Sequence, residues 1–406
     1  SRPYDIEGGD LPTVAPNFSG DFLNSSGSLI ATNLFPAVAE AAAAGGFAFG
    51  GYGIDGFSSR IQTIPSGAPV ANLPVPLAGA EAVYYPPNDM IYIFGGRNGQ
   101  GYSNRVYEFN PATRAIRQMA ANLPFPTYGL TGAYLSDTQR IYLFGGKTGN
   151  NITITKVLGD YTEAPVDVVD ARFSDQILEF NPITDTVTTR TDRLPTATAH
   201  ASAAVGVAPQ GTAGTRIYVV GGIDETRSGV STIIAFNPGA SRSEPAVSEA
   251  RAHIAPARGH LAALATDASG TTIRIFGGEN TYGRTDMVEN FLPASDTISA
   301  GTSLSAPLSK MARSLDTRIL VGGTKNYGRD PQNPDLDPPG AKLYPEGDVY
   351  YIAGTAEAVV RQQPILQKYF SPTFEGGTVG LMNIRENRAW HDPSLAVADP
   401  DISSIV

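Results

Sequence analysis

Two segments with the same side-chain order contain residues suited to ligand recognition. Residues 279–284 read Glu-Asn-Thr-Tyr-Gly-Arg, and residues 324–329 read Thr-Lys-Asn-Tyr-Gly-Arg. A tyrosine ring offers an apolar face and an arginine offers a fork of donors, so the pair suits a sugar or a peptide. The alternative is a glycine-rich turn with ordinary solvated arginines. Comparable segments contain Arg97 and Glu279, and the candidate ligand-binding residues are Tyr52, Tyr102, Arg227, Tyr282, Arg284, Tyr327 and Arg329.

Two of the four histidines occupy matching places in the chain. His200 and His260 each stand just before a stretch that reads as a strand, so both are expected to line the mouth of a shared channel. Two imidazoles there suit a metal pair or acid–base chemistry, with His260 as the candidate catalytic group. A packing role is the alternative. With four histidines in all, a site of three histidines is improbable.

An acidic, proline-rich stretch offers oxygen ligands at nearly alternating positions. It contains Asp330, Asn333, Asp335 and Asp337. Such a series can wrap a calcium ion, so Ca²⁺ is the one cofactor that the sequence suggests. The glycine and the distal glutamate of an EF-hand loop are absent, and a solvated acidic loop is the alternative reading.

The amino-acid composition limits the classes of protein to which the chain can belong. Charged residues make up 17% of the 406 residues, while 44 glycines and 31 prolines favour an all-β chain with many turns. The net charge is −10 and no run of five basic residues occurs, so we expect no nucleic-acid partner. No apolar run approaches the roughly 18 residues of a membrane span. The chain has no cysteine, which suits an extracytoplasmic protein, that is, a secreted, periplasmic or cell-surface one.

A repeated phrase organises most of the chain. A hydrophobic run ends in Gly-Gly with the first glycine at 50, 95, 145, 221, 277 and 322, so the intervals are 45, 50, 76, 56 and 45 residues. One unit parses into four strands, at 77–85, 90–94, 104–109 and 115–119. A period of about 45–50 residues with four short strands is typical of propeller blades.

The repeat resembles that of Kelch proteins. The features that match are the Gly-Gly run, the aromatic-Asn-Pro turn at 180–182 and the Pro-Ala-Arg-Gly-His of residues 256–260. The resemblance covers roughly residues 45–390 and implies an all-β Kelch-type β-propeller of four-stranded antiparallel blades, with six blades favoured and seven as the alternative. The outer-strand tryptophan of the family is missing, since the only tryptophan is Trp390.

The expected organisation has three parts. Residues 1–45 form an N-terminal arm with a possible first inner strand, residues 46–390 form the propeller, and residues 391–406 form a tail. Residues 36–44 read equally well as a short helix or as a packed inner strand. To close the ring, residues 378–384 are expected to supply the inner strand of the first blade or to pair with residues 28–31 in a partial seventh blade.

Two long insertions interrupt the repeat, at 147–174 and 324–347. Long loops in a compact domain are usually functional or disordered, and both of these leave the same face of a propeller. They suit the docking of a partner protein or the walls of a pocket. The sequence therefore favours an extracytoplasmic binding or scaffold module, with a glycan as the second class of ligand and no membrane span.

An enzyme is the alternative, because the chain also resembles the sialic acid mutarotases, which are Kelch propellers with a Glu and an Arg after a Gly-Gly run. The resemblance implies that Glu279 moves a proton while Arg284 holds the substrate carboxylate, and Asp224, Glu225 and Arg227 are the rival match. A copper site of the galactose oxidase type needs a cysteine, and the chain has none.

Overall fold

The structure is a computed structural model built almost entirely from β-strands. The described residues are 38–149 and 171–325, without 54–55, 65, 227, 241–244, 267, 281–282 and 305–306, together with the strands Gly20–Leu23, Leu29–Thr32, Tyr344–Pro345, Val349–Ala353 and Ala356–Arg361. Within these residues the one helix is a 3-10 turn at Pro86–Asn88. No helix in this part of the chain has the length and apolar character needed to cross a bilayer.

The strands form a series of antiparallel sheets. In each sheet four strands follow one another in chain order from the inner strand outwards. Sheet one contains Ala42–Ala44, Phe47–Phe49, Arg60–Thr63 and Pro69–Asn72. Sheet two contains Glu81–Tyr85, Met90–Phe94, Arg105–Phe109 and Ile116–Asn122. Sheet three contains Thr131–Leu135, Arg140–Phe144, Gln176–Asn181 and Thr186–Arg193. The first strand named for each sheet is its inner strand, which lies beside a central channel.

Three further sheets complete the described series. Sheet four contains Ser202–Val207, Thr215–Val220, Ile233–Phe236 and Val247–Glu249. Sheet five contains Ala262–Ala265, Ile273–Phe276, Val288–Leu292 and Thr297–Ala300. Sheet six contains Ala312–Ser314, Ile319–Val321, Val349–Ala353 and Ala356–Arg361, and the strands Gly20–Leu23 and Leu29–Thr32 extend its outer edge. Inner strands of successive sheets lie side by side, and that of sheet six contacts that of sheet one.

Aromatic rings between neighbouring sheets explain the repeated phrase. The aromatic residue before each Asn-Pro turn packs edge-on against an aromatic residue of the preceding sheet. Phe180 lies 5.2 Å from Phe94, and Phe236 lies 5.3 Å from Phe144, measured between ring centroids. Phe291 does the same with Tyr218, although Leu292 replaces the asparagine before the proline. Each such ring is buried, so the core lies between the sheets rather than in one central mass.

A closed ring of backbone hydrogen bonds joins the six sheets at the channel. Each sheet contributes one residue shortly before its inner strand, and the N–H of that residue donates to the carbonyl of the equivalent residue in the preceding sheet, at 2.7–3.0 Å. All six have a left-handed backbone, with φ between 51° and 67°. These residues, called the ring positions below, are Glu40, Gly79, Gly129, His200, His260 and Lys310.

The Gly-Gly pairs turn the chain at the same end of the channel. Gly145 has φ of 61°, and a Cβ there would overlap the carbonyl oxygen of Thr198 in the next sheet. The glycine therefore permits both the left-handed turn and the close approach of the two sheets. The segment after each pair starts on the face that carries the ring positions, which we call the mouth face.

Several sequence expectations are resolved by this arrangement. Residues 42–44 form the inner strand of sheet one, so the helix alternative for 36–44 is wrong in the described part of that segment. The Leu29–Thr32 strand pairs with Gly20–Leu23, so part of the expected N-terminal arm belongs to sheet six. Residues 378–384, 391–406 and most of each insertion lie outside the described residues. The number of blades in the whole chain therefore stays a prediction.

The packing of the ring predicts that a side chain at Gly129 destabilises the fold. A Cβ at this position would overlap the imidazole of His200, whereas a Cβ at Gly46, where φ is 77°, would meet open space. Both alanine substitutions impose the cost of a left-handed alanine, about 1 kcal/mol. Gly129→Ala adds the displacement of a packed ring, about 2 kcal/mol more. Urea unfolding should therefore separate the variants, and equal midpoints for Gly129→Ala and Gly46→Ala would contradict the ring packing.

Candidate functional site

The ring positions place four polar side chains around one end of the central channel. Glu40, His200, His260 and Lys310 line a cavity of about 90 Å³, and the two remaining ring positions are glycines. The cavity continues between the inner strands as far as Glu81 and Arg313. The mouth face is therefore polar, although the sheets around it have apolar cores.

Glu40 is held as a carboxylate by a cation and a phenol. Arg97 donates to its Oε2 at 2.7 Å, and Tyr128 Oη donates to its Oε1 at 2.9 Å. The guanidinium of Arg97 also lies over the ring of Tyr128, 4.1 Å from its centroid. Burial acts to raise the pKa of Glu40, but Arg97, Lys310 and His260 outweigh it and lower that pKa to about 2. The carboxylate is therefore charged throughout the physiological range.

Glu279 is held in a second, similar arrangement. Its Oε2 accepts hydrogen bonds from Arg284 Nη2 at 3.1 Å and from Ser309 Oγ at 2.7 Å. Arg284 and Glu279 face each other in a two-stranded hairpin, and Arg284 Nε donates to Ser309 Oγ at 2.8 Å. Burial acts to raise the pKa of Glu279, but Lys310, His260 and Arg284 hold it well below its usual range. A carboxylate stabilised in this way is a weak proton acceptor.

Lys310 connects the two carboxylates. Its Nζ lies 3.7 Å from Glu40 Oε1 and 3.7 Å from Glu279 Oε1. Charges therefore alternate across the mouth in the order Arg97, Glu40, Lys310, Glu279, Arg284. Each carboxylate has an arginine on its far side, so no negative charge is left without a cation.

The two histidines stack on each other beside this line of charges. The ring centroids of His200 and His260 are 3.9 Å apart, and Tyr128 meets His200 edge-on at 4.8 Å. Burial lowers the pKa of His200 well below its usual value. Burial, with help from Lys310 and Arg97, outweighs the attraction of Glu279 and lowers the pKa of His260 to about 4. Both imidazoles are therefore neutral at pH 7.

A second polar layer crosses the channel below the ring positions. Arg313 Nη1 donates to Glu81 Oε1 at 3.0 Å and Arg313 Nε donates to Ser202 Oγ at 2.6 Å, while Nη2 donates to Thr131 Oγ1. Burial raises the pKa of Glu81 to about 7, against the opposing effect of Arg313. The hydroxyls of Thr131 and Ser202 also accept the N–H of Ala203 and of Ala263 in the next sheet. This layer ties together inner strands on opposite sides of the channel.

The structure brings some of the predicted site residues together. Glu279, Arg284 and His260 form one cluster, and Tyr102 lies 5.5 Å from Tyr128 at the rim. Tyr52 packs edge-on against Phe57, 5.1 Å away, within its own hairpin. The predicted residues that lie outside the described residues are Arg227, Tyr282, Tyr327 and Arg329, together with the calcium candidates Asp330, Asn333, Asp335 and Asp337. Within the described residues no three His, Asp or Glu side chains are grouped to hold a metal.

Besides Ser309 and the layer of Glu81 and Arg313, three residues at the mouth were missed by the sequence reasoning. Glu40, Tyr128 and Lys310 stand at or next to ring positions, yet they share no residue type with His200 or His260. Counting back from each inner strand would have aligned them. Arg258, by contrast, belongs to the recognised Pro-Ala-Arg-Gly-His segment but is fully buried, ion-paired with Glu289 at 2.7 Å and bonded to the carbonyl of Gly277. Its role is structural.

The lowered pKa of His260 predicts a loss of stability in acid. An unfolded histidine takes up its proton near pH 6.5 and the folded one near pH 4, so the free energy of unfolding falls as the pH drops through that window. His260→Asn tolerates the left-handed backbone and removes this contribution, which reaches about 3 kcal/mol at pH 4. Urea unfolding at pH 7 and pH 4 should show the smaller loss for His260→Asn, and the exposed control His253→Asn should behave as wild type. If His260→Asn lost as much stability between pH 7 and pH 4 as the wild-type protein, the proposed burial of His260 would be contradicted.

Comparisons with known proteins agree with this architecture. A model of the Kelch motif matches residues 87–115, which cover the Gly-Gly strand, the rim hairpin and the Asn-Pro turn of sheet two. No curated protein matches the chain. Among solved structures, that described as "Structure of YjhT" is 12% identical with a TM-score of 0.56, over 81% of this chain and 99% of the other. So low an identity bears on the fold alone. The chain therefore has the fold of a Kelch-type β-propeller.

Proposed function

We propose that the protein is a binding and scaffold module that docks a partner protein on its mouth face. The observation that carries the proposal is the position of the two insertion stems. Lys147–Thr148 and Arg172–Phe173 form one stem with Thr127–Tyr128. Thr324–Lys325 and Tyr344–Pro345 form the other with Leu308–Ser309. Sheets three and six are three steps apart in a ring of six, so the stems stand on opposite sides of the mouth.

The electrostatics of the mouth support recognition over acid–base catalysis. Glu40 and Glu279 have lowered pKa values and each carries two or more donors, while His200 and His260 are neutral. Such groups keep a fixed arrangement of donors and acceptors at neutral pH. A preorganised polar surface loses little conformational entropy on binding, which favours affinity for a partner. A glycan is the second class of ligand that this surface suits.

We also propose that the assembly is extracytoplasmic. A chain of 406 residues without a cysteine has no thiol to oxidise outside the cytoplasm, which supports this location. Cell fractionation tests it, and recovery of the native protein with cytoplasmic markers would count against it.

Photo-crosslinking tests the docking face. Gln100 lies at the tip of an exposed rim hairpin on the mouth face, and Ala213 is exposed in a hairpin on the opposite face. A photoreactive residue at position 100 should crosslink a partner in the native setting, whereas one at position 213 should not. Crosslinking from both positions with equal yield would contradict docking by the mouth face.

Shortened insertions provide the matched test. Thr148 pairs with Arg172, and Lys325 pairs with Tyr344, so a short Gly-Ser turn can close either stem without disturbing it. Replacing 150–170 or 326–343 in this way should reduce crosslinking from position 100 by about tenfold, equivalent to roughly 1.4 kcal/mol of binding. Unchanged crosslinking in both shortened proteins, with an unchanged melting temperature, would overturn the role of the insertions.

A mutarotase-like activity is the second candidate function. It is favoured by the adjacency of Glu279 and Arg284, which the resemblance to sialic acid mutarotases assigns to proton transfer and carboxylate binding. Their mutual bond must open before either can act on a substrate. If the protein is such an enzyme, Glu279→Gln should slow interconversion of sialic acid anomers by about 100-fold or more, followed by NMR. Wild-type protein that leaves the uncatalysed rate unchanged would exclude this candidate.

A further inference from the structure

Three polar atoms meet at the mouth without a short hydrogen bond between them. Glu279 Oε1 lies 3.7 Å from Lys310 Nζ and 3.6 Å from His260 Nε2, both longer than the usual N–H···O range. The hydrogen bonds that Arg284 and Ser309 donate to Glu279 go to its other oxygen, Oε2. Lys310 Nζ pairs with Glu279 Oε1 and with Glu40 Oε1, at 3.7 Å each.

These atoms are enclosed but reachable from the mouth. The exposed fractions of the side chains are 10% for His260, 17% for Lys310 and 19% for Glu279. Nearly buried groups of this kind need partners, because an unsatisfied polar group in a protein interior is costly. A hydroxyl oxygen placed beside such a pair, on the side of the mouth, can lie within hydrogen-bond distance of both atoms at once.

The charges around the gap decide which kind of group fits. A cation would meet the ammonium of Lys310, with Arg97 and Arg284 close behind it. An anion would meet the carboxylate oxygens Glu40 Oε1 and Glu279 Oε1, each 3.7 Å from that ammonium. A neutral hydroxyl both donates and accepts, so it can accept from Lys310 while it donates to Glu279. The gap therefore favours a neutral, hydroxylated ligand over a charged one.

We propose that Lys310, Glu279 and His260 form a subsite for two adjacent hydroxyl groups of a neutral sugar. This inference rests on the proposed binding function of the mouth face and names a ligand class for it. One hydroxyl accepts from Lys310 Nζ and the next donates to Glu279 Oε1, with His260 Nε2 beside the same oxygen. The imidazoles of His260 and His200 continue the subsite as a stacked pair.

The cavity limits how such a ligand enters. The cavity of about 90 Å³ is lined by Glu40, His200, His260 and Lys310, so the gap beside Lys310 opens into the channel mouth. The sugar would enter from the mouth by the edge that carries the two hydroxyl groups, and Tyr102 stands at the rim beside the buried Tyr128.

The test uses the full chain and simple methyl glycosides. Saturation-transfer NMR is run with methyl α-mannoside and methyl β-galactoside, with deoxy analogues that lack one hydroxyl of each adjacent pair, and with N-acetylneuraminic acid. Lys310→Met and Glu279→Gln each remove one partner, and Arg117→Met on an exposed outer strand is the control. We expect a neutral glycoside to bind, and either mouth variant or the matching deoxy analogue to weaken binding by about tenfold or more.

The outcomes separate this inference from the docking function. The deoxy analogues are measured on wild-type protein, so a variant that fails to fold does not leave the subsite untested. Tighter binding of N-acetylneuraminic acid than of every neutral glycoside would overturn the neutral subsite. If no glycoside binds while crosslinking from position 100 persists, the subsite is wrong and partner docking stands. Loss of both would refute the mouth face as a binding surface.

Discussion

The ring of six backbone hydrogen bonds at the channel mouth is the constraint on which the other features of the structure depend. It joins the carbonyl of Lys310 to the N–H of Glu40 and so fastens sheet six to sheet one without a covalent link. A single bond of this type contributes only about 1 kcal/mol. The closed circuit matters because it fixes all six inner strands in one register. The channel, its polar layers and the rim hairpins are positioned by that register.

The register brings charged side chains close together at low solvent exposure, and this determines the electrostatics of the mouth. Glu40 and Arg97 are each 6% exposed, so neither charge is well solvated. Removing one partner of a buried pair typically costs about 3–5 kcal/mol, because the other charge is left without compensation. Lys310 stands between two such pairs. The five charges from Arg97 to Arg284 therefore form one network, in which each charge lies beside a charge of opposite sign.

Much of the fold could be predicted from the sequence because its signals are local. The Gly-Gly strand is a continuous apolar run, and the aromatic-Asn-Pro turn marks the ring that packs between sheets. The site was harder to predict. His200 and His260 were recognised because they share a residue type. Glu279 and Arg284 were recognised because their segment recurs at 324–329 and because a family resemblance pointed to them. Glu40 was missed within a run of alanines, because nothing in its neighbours marks it as a channel residue.

That failure has a physical cause in the ring itself. The ring is made by main-chain groups alone, so it accepts any side chain that tolerates a left-handed backbone. Each of the four non-glycine ring positions carries the cost of that backbone, about 1 kcal/mol. The residue type at a ring position can therefore vary with the needs of the site. Only its place before the inner strand identifies a ring position in the sequence.

The same freedom divides the mouth into two halves. Where the ring has glycine, at 79 and 129, the rings of Tyr128 and His200 occupy the space that a Cβ would need. Sheets two to four consequently place the rings of Tyr102, Tyr128 and His200 at the mouth, with Tyr128 buried beneath the guanidinium of Arg97. Sheets five, six and one place the charges of Glu279, Lys310 and Glu40 there. A ligand centred on the channel contacts both halves. The proposed subsite beside Lys310 belongs to the charged half, and the half-buried ring of Tyr102 in the other half suits the apolar face of the same sugar.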